Sequence, residues 1–490
     1  MTPVSLTFET TRARTRLGWQ AFYLARDGFL REQVKRRGGG LAFADYVGPD
    51  GTPVETWLVP GDLHHHALVL GSTGTGKSSL LEAQARFHFQ RRHGIALLDL
   101  HGDLFERTAA WAIQSAVPDL VLLDFTQPGC LPGWNPLKHM PGVDPGRQVD
   151  LLVGVLKRLY AAEDAASWAW GVKVEEIFRY TLRASIESRT VATLVDLRSF
   201  LLIPRLREKL LETASAETRA YFERRFGRRE EMYVSAVLNK LEPFLGSIAV
   251  QRFLGQPEST VDLFDLVDRG GTVLVNLAKG YLGPTADVIG RLLVNVLQLA
   301  ALRREGMPLS KRVPFSIVLD EAHNLAAPGS GLEDLLVAAR KYRVYVTLAA
   351  QSLSLFPPSF RPHLLGNTGR QYFFRLPHSE AQSLAADLFE PLGTVRREAV
   401  RPYDSLSDPL LTPAEEIAAR TKELANLPIG ACYWALRGRR YKARRIQVRR
   451  PLPLPYRPGR LVERIRETML AYKERHLASG VENQALNQLA

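Results

Sequence analysis

The sequence predicts an α/β fold, in which a mostly parallel sheet carries an all-helical insertion and follows a small N-terminal β-containing unit. Strands buried on both faces, as in parallel sheets covered by helices, are short and almost wholly apolar. Runs of this kind recur with helical stretches between them, at residues 67–70, 95–100, 120–125, 272–277, 315–319, 344–349 and 371–376. Residues 146–256 contain no comparable run and show amphipathic helical spacing instead.

The 490 residues are long enough for several domains, and the patterns divide them into five segments. A hairpin signal around the turn GPDG indicates a small N-terminal α+β unit. The sheet-bearing core is expected in two parts, separated by the helical insertion. A basic hairpin, a Pro-rich linker and a final helix end the chain. The predicted segments are 1–60, 61–145, 146–256, 257–435 and 436–490.

The first candidate site is the stretch GSTGTGKS, which fits the pattern G-x-x-x-x-G-K-[ST] between the apolar run ALVL and a helical stretch. Glycines let backbone N–H groups turn inward around an anion, and the dipole of the following helix favours negative charge there. We predict a nucleotide site, with Lys77 at the β- and γ-phosphates and the Ser78 hydroxyl on Mg²⁺. The predicted binding residues are Gly71, Ser72, Thr73, Gly74, Thr75, Gly76, Lys77, Ser78 and Ser79.

A second candidate motif is FSIVLDEAHN, in which Asp320 ends an apolar strand and Glu321 follows it. Ligands of open α/β folds bind at the carboxyl ends of the strands, so Asp320 is expected beside the phosphate loop. We assign Asp320 to Mg²⁺ and Glu321 to polarising the attacking water. Gln351 ends the next predicted strand and has two open roles, contact with the γ-phosphate or the water, or a polar strand cap.

Arg340 lies in AARKYRV, on a predicted helix before that last strand. Two roles stay open from the residues alone. The guanidinium could pair with a carboxylate of its own subunit, or it could reach the γ-phosphate of a neighbouring subunit as an arginine finger. The second role requires a ring of subunits.

Charge is distributed unevenly along the chain. The whole protein has 64 basic and 51 acidic residues, and residues 437–460 alone contain ten Lys or Arg and no carboxylate. Such a block suits a polyanion, nucleic acid first and an anionic membrane second, or else it is a solvated hairpin and linker. The two cysteines match no metal or redox spacing. The longest apolar run, residues 292–302, is too short to span a membrane, so we expect a cytoplasmic protein.

In this order, GSTGTGKS, LLDLHGDL, IVLDEAHN and ARKYRVYVTLAAQS resemble the HerA/FtsK superfamily of hexameric DNA-pumping ATPases, and most closely its VirD4/TraG-type conjugative coupling proteins. PGWNPL, TVLVNLAKGYLG and NTGRQYFFRL agree, so the resemblance covers about residues 61–380. It implies a RecA-like P-loop fold, ATP and Mg²⁺ as cofactors, and a hexamer on DNA.

Residue by residue, the resemblance assigns the Walker A lysine to Lys77 and the Walker B pair to Asp320 and Glu321. It makes Gln351 the sensor glutamine and Arg340 the trans-acting arginine. Asp99 and Asp103, in DLHGD, match a family motif beside the nucleotide. The family's usual N-terminal membrane helices have no counterpart here, and residues 1–60 match no family domain.

The predicted function is therefore an ATP-driven hexameric DNA translocase, acting in DNA transfer between cells. One alternative is a HerA-like motor for DNA end processing or defence with a nuclease partner. Another is an ATP-dependent switch or scaffold that does not translocate. The expected partners are DNA, held through its backbone with little sequence readout, further copies of the chain, and a nuclease or a membrane or secretion protein. A partner of the last kind would place the protein at the periphery of the inner membrane.

Overall fold

The computed structural model describes residues 37–47, 53–138, 144–160, 171–188, 192–326, 331–389, 412–436 and 443–489. They divide into two compact units. The first unit consists of the described residues within Met1–Phe87 and Thr347–Leu452, and the second of those within His88–Val346 and from Pro453 onward.

The described residues form eleven strands and eighteen α-helices. The strands are β1 (Leu41–Val47), β2 (Pro53–Leu58), β3 (Ala67–Leu70), β4 (Gly94–Asp99), β5 (Leu120–Asp124), β6 (Thr272–Asn276), β7 (Phe315–Leu319), β8 (Val344–Ala350), β9 (Arg370–Phe373), β10 (Ala431–Leu436) and β11 (Arg444–Val448). The helices are α1 (Pro60–Leu63), α2 (Lys77–Arg91), α3 (Asp103–Gln114), α4 (Pro145–Tyr160), α5 (Val172–Glu187), α6 (Asp196–Leu202), α7 (Pro204–Leu211), α8 (Ala216–Arg224), α9 (Arg228–Leu245), α10 (Ile248–Leu254), α11 (Leu263–Arg269), α12 (Lys279–Leu282), α13 (Thr285–Arg303), α14 (Leu332–Ala338), α15 (Arg361–Asn367), α16 (His378–Leu388), α17 (Pro413–Ala425) and α18 (Pro458–Leu489).

The sheet of the first unit is mixed, with the strand order β2-β1-β11-β10-β9-β3-β8. Its parallel part is centred on β3, which pairs with β8 on one side and β9 on the other. The remaining pairs are antiparallel. All four residues of β3 are buried, as expected for a central strand of a covered sheet. The N-terminal hairpin of β1 and β2 continues this sheet, because β1 pairs with β11 near the other end of the sequence.

The sheet of the second unit is entirely parallel, with the order β7-β4-β6-β5. The residues of β4, β5, β6 and β7 are buried throughout, which explains their continuous apolar sequences. The fold class predicted from the sequence, α/β with a mostly parallel sheet, is confirmed.

Between β5 and β6 the described chain is helical, from α4 to α11. Asn135, in the PGWNPL stretch, connects the chain before this region to the middle of the region and to the segment before α11. Its side-chain amide donates to the carbonyl oxygens of Ala192 at 3.0 Å and Pro257 at 3.1 Å. Asn135 is only 3% exposed, so these bonds are shielded from water. They hold the backbone at Ala192 and at Pro257 next to Asn135.

The last helix, α18, contacts α3 and β5 of the second unit. Its buried residues are Leu461, Ile465, Met469 and Tyr472, at the three- and four-residue spacing of one helix face. Another helix, α13 with the turn after it, is long and apolar enough to cross a membrane by length and composition. However, 67% of its apolar window is buried in the structure, as in the core helix of a folded unit.

Candidate functional site

The predicted phosphate loop lies between β3 and α2. Gly74 and Gly76 have φ angles of 73° and 115°, which residues with a side chain rarely adopt. A Cβ atom on Gly71 would lie 2.5 Å from the Cβ of Phe374. One on Gly76 would lie 3.1 Å from the Cα of Gly430. Backbone conformation and close packing therefore both require glycine in this loop.

The polar side chains of the loop also contact its backbone. The Lys77 ammonium group donates to the carbonyl oxygen of Gly71 at 2.6 Å and to that of Ser72 at 3.3 Å. The Thr75 hydroxyl donates to Ser72 at 2.7 Å. Thr73, Gly74 and Ser78 are exposed, and the positive end of α2 begins at Lys77. This donor set fits phosphate oxygens, and the Ser78 hydroxyl fits a magnesium ligand.

Three backbone bonds from distant parts of the first unit hold the phosphate loop. The Gly71 N–H donates to the backbone carbonyl oxygen of Ala350 at 3.2 Å, and the Ser72 N–H donates to that of Arg375 at 2.9 Å. The Thr75 carbonyl accepts from the Gly430 N–H at 2.8 Å. None of these three partners was identified from the sequence as a support of the loop.

Gly430 itself needs the conformation of a glycine. Its φ is 83°, and a Cβ atom there would lie 2.3 Å from the side-chain nitrogen of Gln447. A glycine just before an apolar strand is the signal that could have found it.

Gln351 follows directly after β8. In the parallel pair of β3 and β8, Leu70 is aligned with Ala350, so the backbone of Gln351 continues alongside Gly71. The structure thus brings Gln351 to the beginning of the phosphate loop, and both belong to the first unit. Its chemical role stays a prediction.

In the second unit, Asp320 and Glu321 form a turn directly after β7. The Asp320 N–H donates to the Leu98 carbonyl oxygen at 3.0 Å, which continues the pairing of β7 with β4. Asp320 is 8% exposed and Glu321 is 9% exposed. Glu321 has a φ of 48°, and its N–H donates to the Asp320 carboxylate at 3.0 Å. A glutamate with positive φ is strained, and such strain is concentrated at functional sites.

The rest of the DEAHN sequence supports this turn. The Asn324 side-chain amide donates to the Glu321 carbonyl oxygen at 3.1 Å, and its side-chain oxygen accepts from Lys279 at 2.8 Å. Lys279 also pairs with Asp287 at 3.0 Å. The ring nitrogen Nδ1 of His323 lies 3.4 Å from the Glu321 carboxylate. Sequence reasoning did not identify Lys279 or Asn324 as parts of this turn.

Asp99 has a structural role in the second unit. Its carboxylate accepts the backbone N–H groups of His101 at 2.9 Å, Gly102 at 3.0 Å and Phe105 at 2.9 Å, so it shapes the turn before α3 and caps that helix. Asp103 is exposed in the first turn of α3. Within the described ranges, no group of three or more His, Cys, Asp or Glu residues has an arrangement that could hold a metal ion.

Two further acidic groups near these strand ends are affected by burial. Burial raises the pKa of Asp124, although hydrogen bonds from Thr126 and Asn276 oppose the shift. The pKa of Glu106 is also raised, mainly by burial and to a smaller extent by the negative charge of Asp103. Both shifts favour the protonated form of a carboxyl group in the second unit.

Arg340 lies in a single 3₁₀ turn, Ala339–Tyr342, that follows α14. Its side chain is exposed. Among the described residues, no carboxylate forms an ion pair with it. Of the two roles left open by the sequence, an ion pair within its own chain therefore has no support in the described part of the structure.

The basic segment 437–460 has fewer available charges than its composition indicates. Arg449 pairs with Asp45 at 2.9 Å and Glu55 at 2.8 Å. Arg445 pairs with Glu423 at 3.3 Å, and Arg460 pairs with Glu463 at 2.8 Å. Arg450 and Arg457 are exposed and form no ion pair within the described residues. The arginines and the lysine at 437–442 lie outside the described residues.

The phosphate loop on a mostly parallel sheet defines the fold of a P-loop NTPase. Solved structures with this fold include the bacterial conjugative coupling protein TrwBdeltaN70, with a TM-score of 0.56 and 17% identity over 85% of this chain and 90% of that one. TrwB in complex with ADP and Mg²⁺ matches with a TM-score of 0.55 and 17% identity, over 86% and 94%.

VirB4 of Thermoanaerobacter pseudethanolicus has a TM-score of 0.50 and 15% identity, over 84% of this chain and 97% of that one. No protein-family model matches the chain, and no curated protein matches it by sequence. At these identities the likeness concerns the fold, and at that level the resemblance seen in the sequence is confirmed.

Proposed function

We propose that the protein is an ATPase that uses Mg²⁺ and works as a hexameric DNA translocase, in DNA transfer between cells. The observation that carries the proposal is the phosphate loop, with its positive-φ glycines, buried lysine and helix start, on a fold shared with the coupling protein TrwB. TrwB has been solved with ADP and Mg²⁺ and with a non-hydrolysable ATP analogue, which supports the same ligands here.

Each predicted site residue has a role in this proposal. The backbone of residues 71–79 and Lys77 bind the phosphates, and Ser78 with Asp320 binds Mg²⁺. Glu321 polarises the attacking water, and Gln351 senses the γ-phosphate. The exposed side chain of Arg340, without an ion pair in the described residues, supports its role as a finger towards a neighbouring subunit.

The first experiment measures ATP hydrolysis with and without double-stranded DNA, in the wild type and in Glu321→Gln, while the particle size is determined. A six-fold assembly with DNA-stimulated hydrolysis that the substitution abolishes is the expected result. A monomer whose hydrolysis ignores DNA would favour a nucleotide-dependent switch instead, and an assembly that only acts beside a nuclease would favour DNA end processing.

The trans role of Arg340 can be tested by mixing subunits. Lys77→Ala and Arg340→Ala proteins are each expected to be inactive. Co-expressed, they would form some interfaces with an intact lysine on one subunit and an intact arginine on the next, so part of the activity should return. If the mixed particles stay as inactive as the separate variants, Arg340 does not act between subunits.

DNA binding by the basic segment is tested with Arg450 and Arg457 together changed to glutamate. For each DNA phosphate that the variant no longer neutralises, the negative slope of log affinity against log salt should become less steep by about 0.9. Arg460→Glu is the matched control, because Arg460 already pairs with Glu463. Equal DNA affinity and salt slope in the double variant and the control would exclude Arg450 and Arg457 from DNA binding.

A further inference from the structure

The backbone around Gln351 is held on both sides. Before it, the Ala350 carbonyl oxygen accepts the N–H of Gly71 at the start of the phosphate loop. After it, the Leu353 N–H donates to the carboxylate oxygen Oε1 of Glu380, which belongs to α16. All of these residues lie in the first unit. Gln351, the predicted sensor, therefore lies between a backbone bond to the phosphate loop and a bond to α16.

Glu380 is an unusual residue to find in this position. It is 9% exposed, and its second oxygen, Oε2, is buried without a hydrogen-bond partner among the described residues. Native structures contain few buried acceptors of this kind, because each one loses its water without gaining a donor. An apolar side chain at this place in α16 would avoid that cost, but it would leave the Leu353 N–H without its acceptor.

The segment that follows Leu353 is fixed as well. Arg361 donates to the carbonyl oxygens of Ser354 at 2.7 Å and Phe356 at 2.9 Å. The Phe356 side chain is 1% exposed. The backbone of the loop after β8 is thus hydrogen-bonded by two charged side chains, Glu380 and Arg361. The bond from Glu380, at Leu353, is the one nearer to Gln351 in the sequence.

We infer that Glu380 is a positioning residue for Gln351: its carboxylate holds the Leu353 amide, and through it the backbone that aims the glutamine at the γ-phosphate side of the loop. This inference rests on the proposed ATPase function. A glutamine that orients water or phosphate must be placed to within a fraction of an ångström, so a loosened backbone reduces the rate more than it reduces nucleotide binding.

The kinetic test is a double-mutant cycle of Gln351→Ala and Glu380→Ala. Each single variant should lower kcat by about tenfold, the effect of losing one charge-assisted bond, with KM for ATP changed by no more than about twofold. If Glu380 acts through Gln351, the double variant is no slower than Gln351→Ala alone. Effects that multiply to about a hundredfold would overturn the inference.

Conservative and control variants separate positioning from general damage. Glu380→Gln keeps an oxygen acceptor for the Leu353 N–H, so its kcat should stay within about threefold of the wild type. Asp387→Ala, at an exposed position on the same helix, should leave kcat unchanged. A kcat for Glu380→Gln as low as that of Glu380→Ala would argue against the hydrogen bond as the cause.

Amide hydrogen exchange tests the contact without any activity. In Glu380→Ala the Leu353 amide should exchange faster, while the amides of β3 keep their protection. This measurement is informative even if the wild type hydrolyses no ATP, in which case the proposed function fails and the anchoring role of Glu380 is still decided. Unchanged exchange at Leu353 would overturn the inference.

Discussion

The phosphate loop and the acidic turn are held by different means. The loop is bonded to Ala350, Arg375 and Gly430, which all come far later in the chain. At the turn, the backbone of Glu321 is bonded by near neighbours, the Asn324 side chain and the Asp320 carboxylate, while the Asp320 N–H donates to Leu98 in β4. Substitutions far away in the sequence should therefore damage the loop, and the substitution of a near neighbour, Asn324, should damage the turn.

The largest effect is expected at the loop itself. Lys77→Ala should lower ATP hydrolysis by about 10²–10³-fold, because it removes a preorganised charge from the phosphates. The thermal unfolding midpoint should change little, since the hydrogen bonds from the Lys77 ammonium group to Gly71 and Ser72 lie within its own loop. Lys422→Ala, at an exposed lysine of the same unit, is the control for hydrolysis. Full activity in Lys77→Ala would contradict the phosphate role.

The next effect tests the remote support. Gly430→Ala places a side chain at a φ of 83°, and this left-handed conformation should cost about 1–2 kcal/mol of stability, while the Gln447 amide 2.3 Å from the new Cβ atom can move aside. Nucleotide affinity should fall with it, because the Gly430 N–H holds the loop at Thr75. Thermal unfolding and nucleotide titration measure both.

Gly61→Ala is the matched control for Gly430, since a Cβ atom there would meet no heavy atom within 4 Å. Equal unfolding midpoints for the two variants would show that the substitution Gly430→Ala introduces no strain. A destabilised variant with unchanged nucleotide affinity would show that the loop does not depend on this distant contact.

A smaller effect is expected from the local support of the acidic turn. Asn324→Ala removes the bond to the Glu321 carbonyl oxygen and leaves Lys279 with Asp287 alone. We expect kcat to fall by about tenfold, the effect of about 1–2 kcal/mol, with KM for ATP nearly unchanged. Asn426→Ala, which removes an exposed side-chain bond on α17, is the control. If the unfolding midpoint changes and kcat does not, Asn324 stabilises the protein but does not position Glu321 for hydrolysis.

The smallest effect concerns Asp124, at the end of β5. Since burial raises its pKa, the folded chain holds this proton more tightly than the unfolded chain, and the stability that it contributes is lost as pH rises through the raised pKa. Asparagine carries no charge and keeps the oxygen that accepts from Thr126 and Asn276. Asp124→Asn should therefore be more stable than the wild type at pH 7, with a smaller difference at pH 4.

Thermal unfolding at the two pH values checks this prediction, with the exposed Asp387→Asn as a control that should show no such difference. If Asp124→Asn is less stable than the wild type at pH 7, the ionised Asp124 carboxylate stabilises the folded protein, and the prediction is wrong.

The parts that were predicted from the sequence are those specified by neighbouring residues. The strand ALVL, the loop GSTGTGKS and the helix after it are found where the pattern indicates, since strand, turn and helix preferences act over a few residues. Asp99 is different, because its match to a motif beside the nucleotide did not reveal that its carboxylate caps the turn before α3.

The sequence by itself determined the alternation of apolar strands and helices, the glycine pattern and the acidic strand end, because periodicity and turn chemistry are local properties. Only the tertiary structure decided that Gly430 supports the phosphate loop, that Glu380 holds the loop after Gln351, and that Arg449 is paired with Asp45. Such contacts join residues far apart in the chain, and their partners are known only once the strands have been ordered in the sheet.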